Sequence, residues 1–306
     1  MKKFLSVVLS VIMTMSLVAI SAGAKDFTDS SKVNYKEAVD VISGIKVVDG
    51  YTDGSFNPTA TLTRGAASKI ISNMILGPTT AGSLGVSSAP FKDVPVSNTF
   101  AGYIAFCSQQ GIINGYTDGT FKPAGTVTGY QFMKMLLGAL GYDGKIQGFT
   151  GANWEVNVAK LAGSIGLDDG NDGFIGSKAM TREEAALYAF NTLQATMVKY
   201  DTTGSTIVVG DTTIVQGASK AEDVENNSTS ANTIKKDGLM QFAEKYFKDL
   251  KLASSTSDAF ERPANTWTYK TNEIGTYAKT ADLSYTEKVK TGTIYSDLGL
   301  SKAIAK

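Results

Sequence analysis

Two arginine residues stand where a positive charge is chemically unusual. Arg64 follows Thr63 and Arg182 follows Thr181, and in both places a run of apolar residues with helical spacing begins at once. A cation in the first turn of a helix opposes the helix dipole, whereas the free amides of that turn attract anions. A guanidinium adds a planar pair of donors that fits a carboxylate. The pattern therefore indicates an anion site at each helix start.

An internal ion pair is the alternative to an anion site. A nearby acid such as Asp53 or Asp172 would compensate either arginine, and the residues alone favour neither interpretation. Three aromatic residues, Tyr51, Tyr116 and Trp154, are candidates for stacking on sugar rings. Such residues more often serve as core or lid, so both roles stay open for them.

The sequence lacks residues that most catalytic mechanisms need. The sequence has no histidine, which removes the commonest general base and metal ligand. The only cysteine, Cys107, occupies an apolar helix position and is expected to be buried rather than reactive. The loop from Asp49 has Tyr51 and Ala60 where a calcium-binding EF-hand needs oxygen ligands. We expect no catalytic residue, no metal and no cofactor, although sequence alone does not exclude a pair of glycosidase carboxylates.

The beginning of the chain is typical of a secretory signal peptide. Lys2 and Lys3 precede an apolar run from Phe4 to Ile20, and small residues end at Ala24. An uncleaved membrane anchor is the alternative, but serine and threonine interrupt the short apolar run. We expect residues 1–24 to be removed, leaving a secreted protein without membrane contact. A net charge of +0 also gives no reason to expect nucleic acid as a partner.

An internal repeat dominates the chain after this segment. GYTDGSFNPTATLTR, from Gly50 to Arg64, recurs as GYTDGTFKPAGTVTG, from Gly115 to Gly129, and nine of the fifteen positions are identical. A third, divergent loop ends at Thr181. Apolar residues with helical spacing flank each loop, so each copy predicts a helix, a glycine-rich turn and a second helix. One such unit cannot bury its own apolar stripe, which predicts a core shared by the three copies.

The second helix of each copy has its own start signal. Thr181 and Glu184 have the spacing of a capping box, in which side chain and backbone amide satisfy each other. Thr128 and Gln131 have the same spacing, whereas Thr63 is followed by an alanine and keeps half of the box. These signals fix the predicted helix starts beside the residues of interest.

This pattern resembles the S-layer homology family. It combines an aromatic start, a Gly-Tyr-Thr-Asp-Gly loop and a Thr-Arg helix start, three times behind a signal peptide. The resemblance covers residues 25–200 and implies a mainly α fold, with three helix-loop-helix repeats (about 25–80, 88–143 and 148–200) in a pseudo-threefold bundle. It further implies non-covalent anchoring to the cell wall, because grooves between such repeats bind a peptidoglycan-linked secondary cell-wall polysaccharide, often with an anionic pyruvyl ketal.

The family motif Ile-Thr-Arg-Ala-Glu appears here as LTRGA at 62–66, VTGYQ at 127–131 and MTREE at 180–184. The arginine is present in the first and third copies and is replaced by glycine in the second. The resemblance therefore implies two good sites at most. The polysaccharide-binding residues that it implies are Arg64, Arg182, Thr63, Thr181, Glu184, Tyr51, Asp53, Tyr116, Asp118 and Trp154.

The last third of the chain, residues 201–306, is richer in threonine, serine, asparagine and lysine. STIVVGDTTIVQG predicts a β-hairpin, and LMQFAEKYFKDLKL predicts a helix that continues to Leu250. The residues around Trp267 and Tyr277 are typical of strands. Together they predict a small α+β module, similar to segments that follow S-layer homology repeats in clostridial surface proteins.

These observations favour a non-enzymatic protein of the cell wall or surface layer. Its expected partner is an anionic secondary cell-wall polysaccharide associated with peptidoglycan, with surface-layer self-association as a further interaction. Two alternatives stay open. The repeats could tether an enzyme located in residues 201–306, or the chain could be a lattice subunit that acts mainly by self-assembly.

Overall fold

The structure is a computed structural model that describes residues 26–209, 212–228, 230–280 and 290–297, so the signal peptide predicted at 1–24 lies outside it. Its helices are α1 Lys36–Gly44, α2 Arg64–Leu76, α3 Pro78–Gly82, α4 Ala101–Gln109, α5 Gly129–Leu140, α6 Trp154–Ser164, α7 Arg182–Gln194, α8 Phe242–Tyr246 and α9 Thr291–Asp297. Its strands are β1 Val198–Lys199, β2 Ser205–Val209, β3 Thr212–Gln216, β4 Glu222–Asp223, β5 Leu250–Ser257, β6 Pro263–Tyr269 and β7 Asn272–Ala278. No helix in this part of the chain is long and apolar enough to cross a membrane.

The predicted helix pairs are confirmed as α1 and α2, α4 and α5, and α6 and α7. The second helix of each pair starts at its capping threonine. Thr63 Oγ1 accepts the Ala66 amide at 3.2 Å and forms only half a box, as its sequence predicts. Complete capping boxes form at Thr128 with Gln131 and at Thr181 with Glu184. The threonines satisfy amides that a helix start leaves without partners.

The three segments that lead into these second helices bond to one another in a closed ring. Leu62 N donates to Met180 O at 2.8 Å, Met180 N donates to Val127 O at 3.0 Å, and Val127 N donates to Leu62 O at 3.1 Å. We call the segments 60–64, 125–129 and 178–182 the first junction. Because each segment bonds to both of the others, the first junction places the three helix starts beside one another.

Small residues allow the helices to approach closely. A Cβ on Gly65 would lie 2.6 Å from the Phe100 ring, so α2 meets the start of α4 only with glycine there.

Cys107 is buried in the core against Ser72 and Ser68, as its sequence position predicts. Burial raises the pKa of its thiol to about 11, which makes it inert at neutral pH.

The strands lie between residues 198 and 278. β2 pairs with β3 in the predicted antiparallel hairpin, and β5, β6 and β7 form a three-stranded antiparallel sheet in that order. The prediction of a helix that continues to Leu250 is wrong, since α8 ends at Tyr246. The backbone leaves the helical region at Phe247, and Leu250 pairs with Tyr269 instead. Cross-strand pairing here overrides a helical pattern of apolar residues.

The three-stranded sheet packs on α1 of the first helix pair. Trp267 is 0% exposed and donates from Nε1 to Glu37 Oε1 at 2.6 Å. The Tyr277 hydroxyl donates to Asp40 Oδ2 at 2.7 Å. Ile274 lies against Gly44, where a Cβ would approach it to 3.1 Å. The sheet and the helices therefore share one hydrophobic core.

Candidate functional site

Each arginine packs against a loop that belongs to another helix pair. Arg64, at the start of α2, donates from Nε to Phe121 O at 2.8 Å and from Nη2 to Asn114 O at 3.2 Å. Its guanidinium carbon lies 4.3 Å from the Phe121 ring centre and 5.1 Å from that of Tyr116. We call this site the Arg64 groove. The arginine comes from the first copy and the loop from the second.

Arg182 repeats the arrangement with the loop of the first copy. It donates from Nε to Phe56 O at 2.9 Å and from Nη2 to Asp49 O at 3.0 Å. Its guanidinium carbon lies 4.7 Å from the Tyr51 ring centre and 5.0 Å from that of Phe56. We call this site the Arg182 groove. The two grooves therefore match in their carbonyl acceptors and in their aromatic neighbours.

Neither guanidinium forms an ion pair within the described chain, so direct pairing with Asp53 or Asp172 is not observed. Asp93 acts on the charge of Arg64, and Asp29 and Asp49 act on that of Arg182, from beyond ion-pair distance. Partial burial lowers the pKa of both guanidiniums, which stay charged at any physiological pH. Among the described hydrogen bonds, none engages Nη1 of either arginine. Each site thus holds a guanidinium positioned by two carbonyl oxygens, with Nη1 outside the described hydrogen bonds.

The loops are held by Asp29 and Asp93, for which the sequence suggested a cap or staple on the first helix of the copy; both accept amides of the glycine-rich loop instead. Asp29 accepts the amides of Phe56 and Asn57, both at 2.8 Å, from 27 and 28 residues away. The Phe56 amide lowers the pKa of Asp29 against the effect of desolvation. Asp93 accepts the two equivalent amides of the second loop, both at 2.7 Å. The repeated phenylalanine-x-aspartate triplet was the available signal, and its function is to fix each loop beneath an arginine.

The predicted loop residues lie at the groove edges. Tyr51 is 47% exposed and Tyr116 is 44% exposed, so each presents part of its ring to solvent. Asp53 Oδ1 accepts the Ser55 amide at 2.9 Å and hydroxyl at 2.7 Å, and Asp118 makes the same two bonds with Thr120. These aspartates therefore shape their own turns while staying exposed.

In the second copy, glycine stands at the position that Arg64 and Arg182 occupy in the other two. A Cβ on Gly129 would lie 2.7 Å from the Phe174 ring and 3.0 Å from Gly176 Cα, so the third loop approaches too closely for a side chain. A cavity of about 210 Å³ opens beside Gly129. We call this site the Gly129 groove. It has the same loop approach as the others but no guanidinium.

The remaining predicted residues are distributed among other roles. Thr181 and Glu184 line the Gly129 groove, and their polar atoms bond to each other in the capping box. Thr63 caps α2 beside the Arg64 groove. Trp154 lies 5.5 Å from Lys134 Nζ, and no described contact brings it to a groove residue. No group of three or more acidic or cysteine side chains that could hold a metal ion occurs in the described chain.

The fold and grooves define a helical repeat protein with arginine sites between its copies. The S-layer homology domain family matches residues 26–68 and 90–133, which are the first two copies. These two segments are S-layer homology repeats, and together they make up less than a third of the chain.

Curated relatives agree with the family. The chain is 27% identical over 167 residues (52% of this chain, 15% of the relative) to a surface layer protein of Brevibacillus choshinensis. It is 34% identical over 98 residues (32% and 22%) to a cellulosome-anchoring protein of Acetivibrio thermocellus. It is 27% identical over 165 residues (51% and 30%) to an uncharacterized cell wall amidase of Bacillus anthracis. The chain spans less than a third of each of these relatives. Family and relatives indicate a secreted protein of the cell wall or surface layer.

Proposed function

We propose that this protein anchors non-covalently to the bacterial cell wall by binding an anionic, peptidoglycan-linked secondary cell-wall polysaccharide. The observation that carries the proposal is the pair of matched grooves at Arg64 and Arg182. In each groove a guanidinium is held by two carbonyl oxygens and an aromatic loop, and neither forms an ion pair with a carboxylate in the described chain. A pyruvylated sugar supplies both the missing carboxylate and an apolar ring face.

The proposal includes a pseudo-threefold bundle of three repeats over residues 25–200, with residues 201–306 as a C-terminal module. The closed ring of the first junction supports this arrangement, because each copy donates to one neighbour and accepts from the other. The amide of the first helix residue in each copy also donates to a carbonyl of an adjacent junction segment. The distances are 2.8 Å for Arg64, 3.2 Å for Gly129 and 2.9 Å for Arg182. Three equivalent helix starts then face three loops in rotation.

Ligand affinity in this proposal comes from two of the three grooves. The guanidinium in each good groove is already oriented by its carbonyl bonds, so binding needs little further ordering of a long side chain. The exposed parts of Tyr51 and Tyr116 offer stacking surfaces next to it. The Gly129 groove lacks the cation and is expected to contribute weakly to binding of an acidic polymer.

Surface-layer self-association is a second candidate function. It is favoured by the likeness to a surface layer protein over half of this chain. The proposal assigns no catalytic role to residues 201–306, because the sequence has no histidine and no recognised nucleophile motif. Lattice formation and wall binding are compatible, and sedimentation of the purified protein without walls measures the first separately.

Co-sedimentation with purified cell walls tests the proposal. Mature protein is mixed with intact walls, and with walls from which acid extraction has removed the secondary polysaccharide. We expect binding to intact walls and loss of binding to extracted walls, while protein alone stays in the supernatant. Equal binding to both wall preparations would show that the polysaccharide is not the receptor.

Peptidoglycan hydrolysis is assayed on the same samples. Release of soluble wall fragments by the wild-type protein would favour the tethered enzyme over the proposal. The double variant R64A/R182A serves as the binding-deficient control, with its helix content checked by circular dichroism.

A further inference from the structure

A second closed ring of backbone hydrogen bonds lies outside the three copies. Met197 N donates to Met240 O at 2.8 Å, Met240 N donates to Val224 O at 2.7 Å, and Val224 N donates to Met197 O at 2.9 Å. The segments 195–199, 222–226 and 238–242 therefore form what we call the C-terminal junction. Its donor and acceptor order is that of the first junction.

The flanking bonds of the two junctions also correspond. Two residues after Val224, the Asn226 amide donates to Gly238 O at 2.8 Å. In the first junction the Gly129 amide, two residues after Val127, makes the equivalent bond to Lys178 O at 3.2 Å. Asn226 thus occupies the place of Gly129, the position of the second copy at which the first and third copies have arginine.

The strand that enters α8 repeats the sequence and contacts of an S-layer homology helix start. MQFAE, ending at Glu244, corresponds to MTREE, ending at Glu184. Glu244 Oε2 accepts the Gln241 amide at 3.3 Å, as Glu184 Oε2 accepts the Thr181 amide at 2.7 Å. The correspondence is one of geometry as well as of residue type.

A cavity opens at the equivalent place in both junctions. In the C-terminal junction it measures about 470 Å³, against about 210 Å³ beside Gly129. The matching lining positions are Asn226 for Gly129, Met240 for Met180, Glu244 for Glu184 and Lys248 for Tyr188. The groove of the repeats therefore recurs in residues 195–250 with a larger volume and different side chains.

The lining of this cavity includes buried polar side chains that hydrogen bonds hold in place. Asn226 and Glu244 are each 3% exposed, and Asn226 Nδ2 donates to Glu244 Oε2 at 2.9 Å. The other carboxylate oxygen accepts the Ile234 amide at 3.0 Å. Glu244 is thus satisfied within the wall of the cavity. Lys245 and Lys248 line the same cavity and are exposed, and neither belongs to an ion pair of the described chain.

We propose that this cavity, the Lys245/Lys248 groove, is a further binding site for an acidic oligosaccharide. The two ammonium groups supply charge for a carboxylated sugar, and the lining amide and carboxylate orient its hydroxyl groups. That the acidic sugar belongs to the wall polysaccharide rests on the proposed function, whereas the groove itself does not. This site would give the C-terminal module a direct contact with the wall.

Methionine methyl resonances test this site in the full mature chain, because Met240 lines the new groove and Met180 lines the Gly129 groove. Protein labelled with ¹³C-methyl methionine is titrated with acid-extracted wall polysaccharide, and with the same polymer after chemical reduction of its carboxylates. We expect a saturable shift of the Met240 methyl. The apparent affinity should fall about tenfold in K245Q/K248Q and by a similar factor with the reduced polymer, as expected for two exposed charge contacts.

The variant R64A/R182A separates this inference from the proposed function. We expect it to lose sedimentation with walls and to keep the Met240 response. An unmoved Met240 methyl at saturating polymer, or an unchanged affinity in K245Q/K248Q, would overturn the inference. In K245Q/K248Q without polymer, a Met180 resonance at the wild-type position shows that the fold is retained.

Discussion

Replacing Arg182 by alanine is the sharpest single test of the groove chemistry. The change removes two hydrogen bonds, at 2.9 and 3.0 Å, and the stacking on Tyr51 and Phe56. Loss of a charge-assisted contact with a carboxylate is worth about 2 kcal/mol, or about 30-fold in affinity. The lost carbonyl bonds and stacking cost about 2 kcal/mol of folding stability, which lowers the melting temperature by about 4–8 °C.

Two assays separate these effects. Calorimetric titration with purified wall polysaccharide measures affinity at a temperature where the variant is folded, and thermal denaturation followed by circular dichroism measures stability. R182K keeps the charge but loses the planar fork, so we expect an affinity between those of wild type and R182A.

Arg262 provides the matched control. It also stacks on an aromatic ring, at 5.3 Å from Phe260, but its side chain is 61% exposed and paired with Asp258. R262A should therefore leave wall binding unchanged. Unchanged affinity in a folded R182A would refute the assignment of Arg182 as a ligand contact. Complete unfolding of R182A would instead show that the arginine acts chiefly in structure.

Three further outcomes are expected. Gly129→Arg should lower stability and not strengthen wall binding, since its Cβ would meet Phe174 and the Gly176 backbone; melting temperature and sedimentation measure both. Asp29→Asn should lower the melting temperature at pH 7, and should lower it by less as the pH falls below about 4. The lowered pKa of Asp29 means that its stabilising effect is present above about pH 4 and lost as pH falls through the folded value. Glu37→Gln should abolish a gain in wild-type stability that develops as the pH falls from 7 towards about 4.5, because burial raises the pKa of Glu37 and protonation therefore favours the folded state. A Glu37→Gln protein with the wild-type pH slope would contradict that assignment.

The sequence predicted the features that depend on local signals. Helix pairs follow from apolar spacing, and helix starts follow from Thr63, Thr128 and Thr181, because each cap bonds only to its own first turn. The resemblance singled out Arg64 and Arg182 for the same reason, since their place after a capping threonine is visible in the chain.

The partners of those arginines are a tertiary property. Arg182 bonds to carbonyls 126 and 133 residues earlier, and nothing in the motif states which loop closes on which helix. The helix predicted to continue to Leu250 failed for a related reason, because pairing of β5 with β6 is decided by a distant strand. The sequence does not predict the C-terminal junction, because only MQFAE, ending at Glu244, repeats the earlier motif.

Titration of the mature protein with free, purified secondary cell-wall polysaccharide tests the central claim most directly. The account predicts saturable binding whose affinity falls sharply in R64A/R182A, to the weaker binding expected of the Lys245/Lys248 groove, and falls as well when the carboxylates of the polymer are reduced. Binding that is absent in the wild-type protein, or an affinity that neither change lowers, would contradict it.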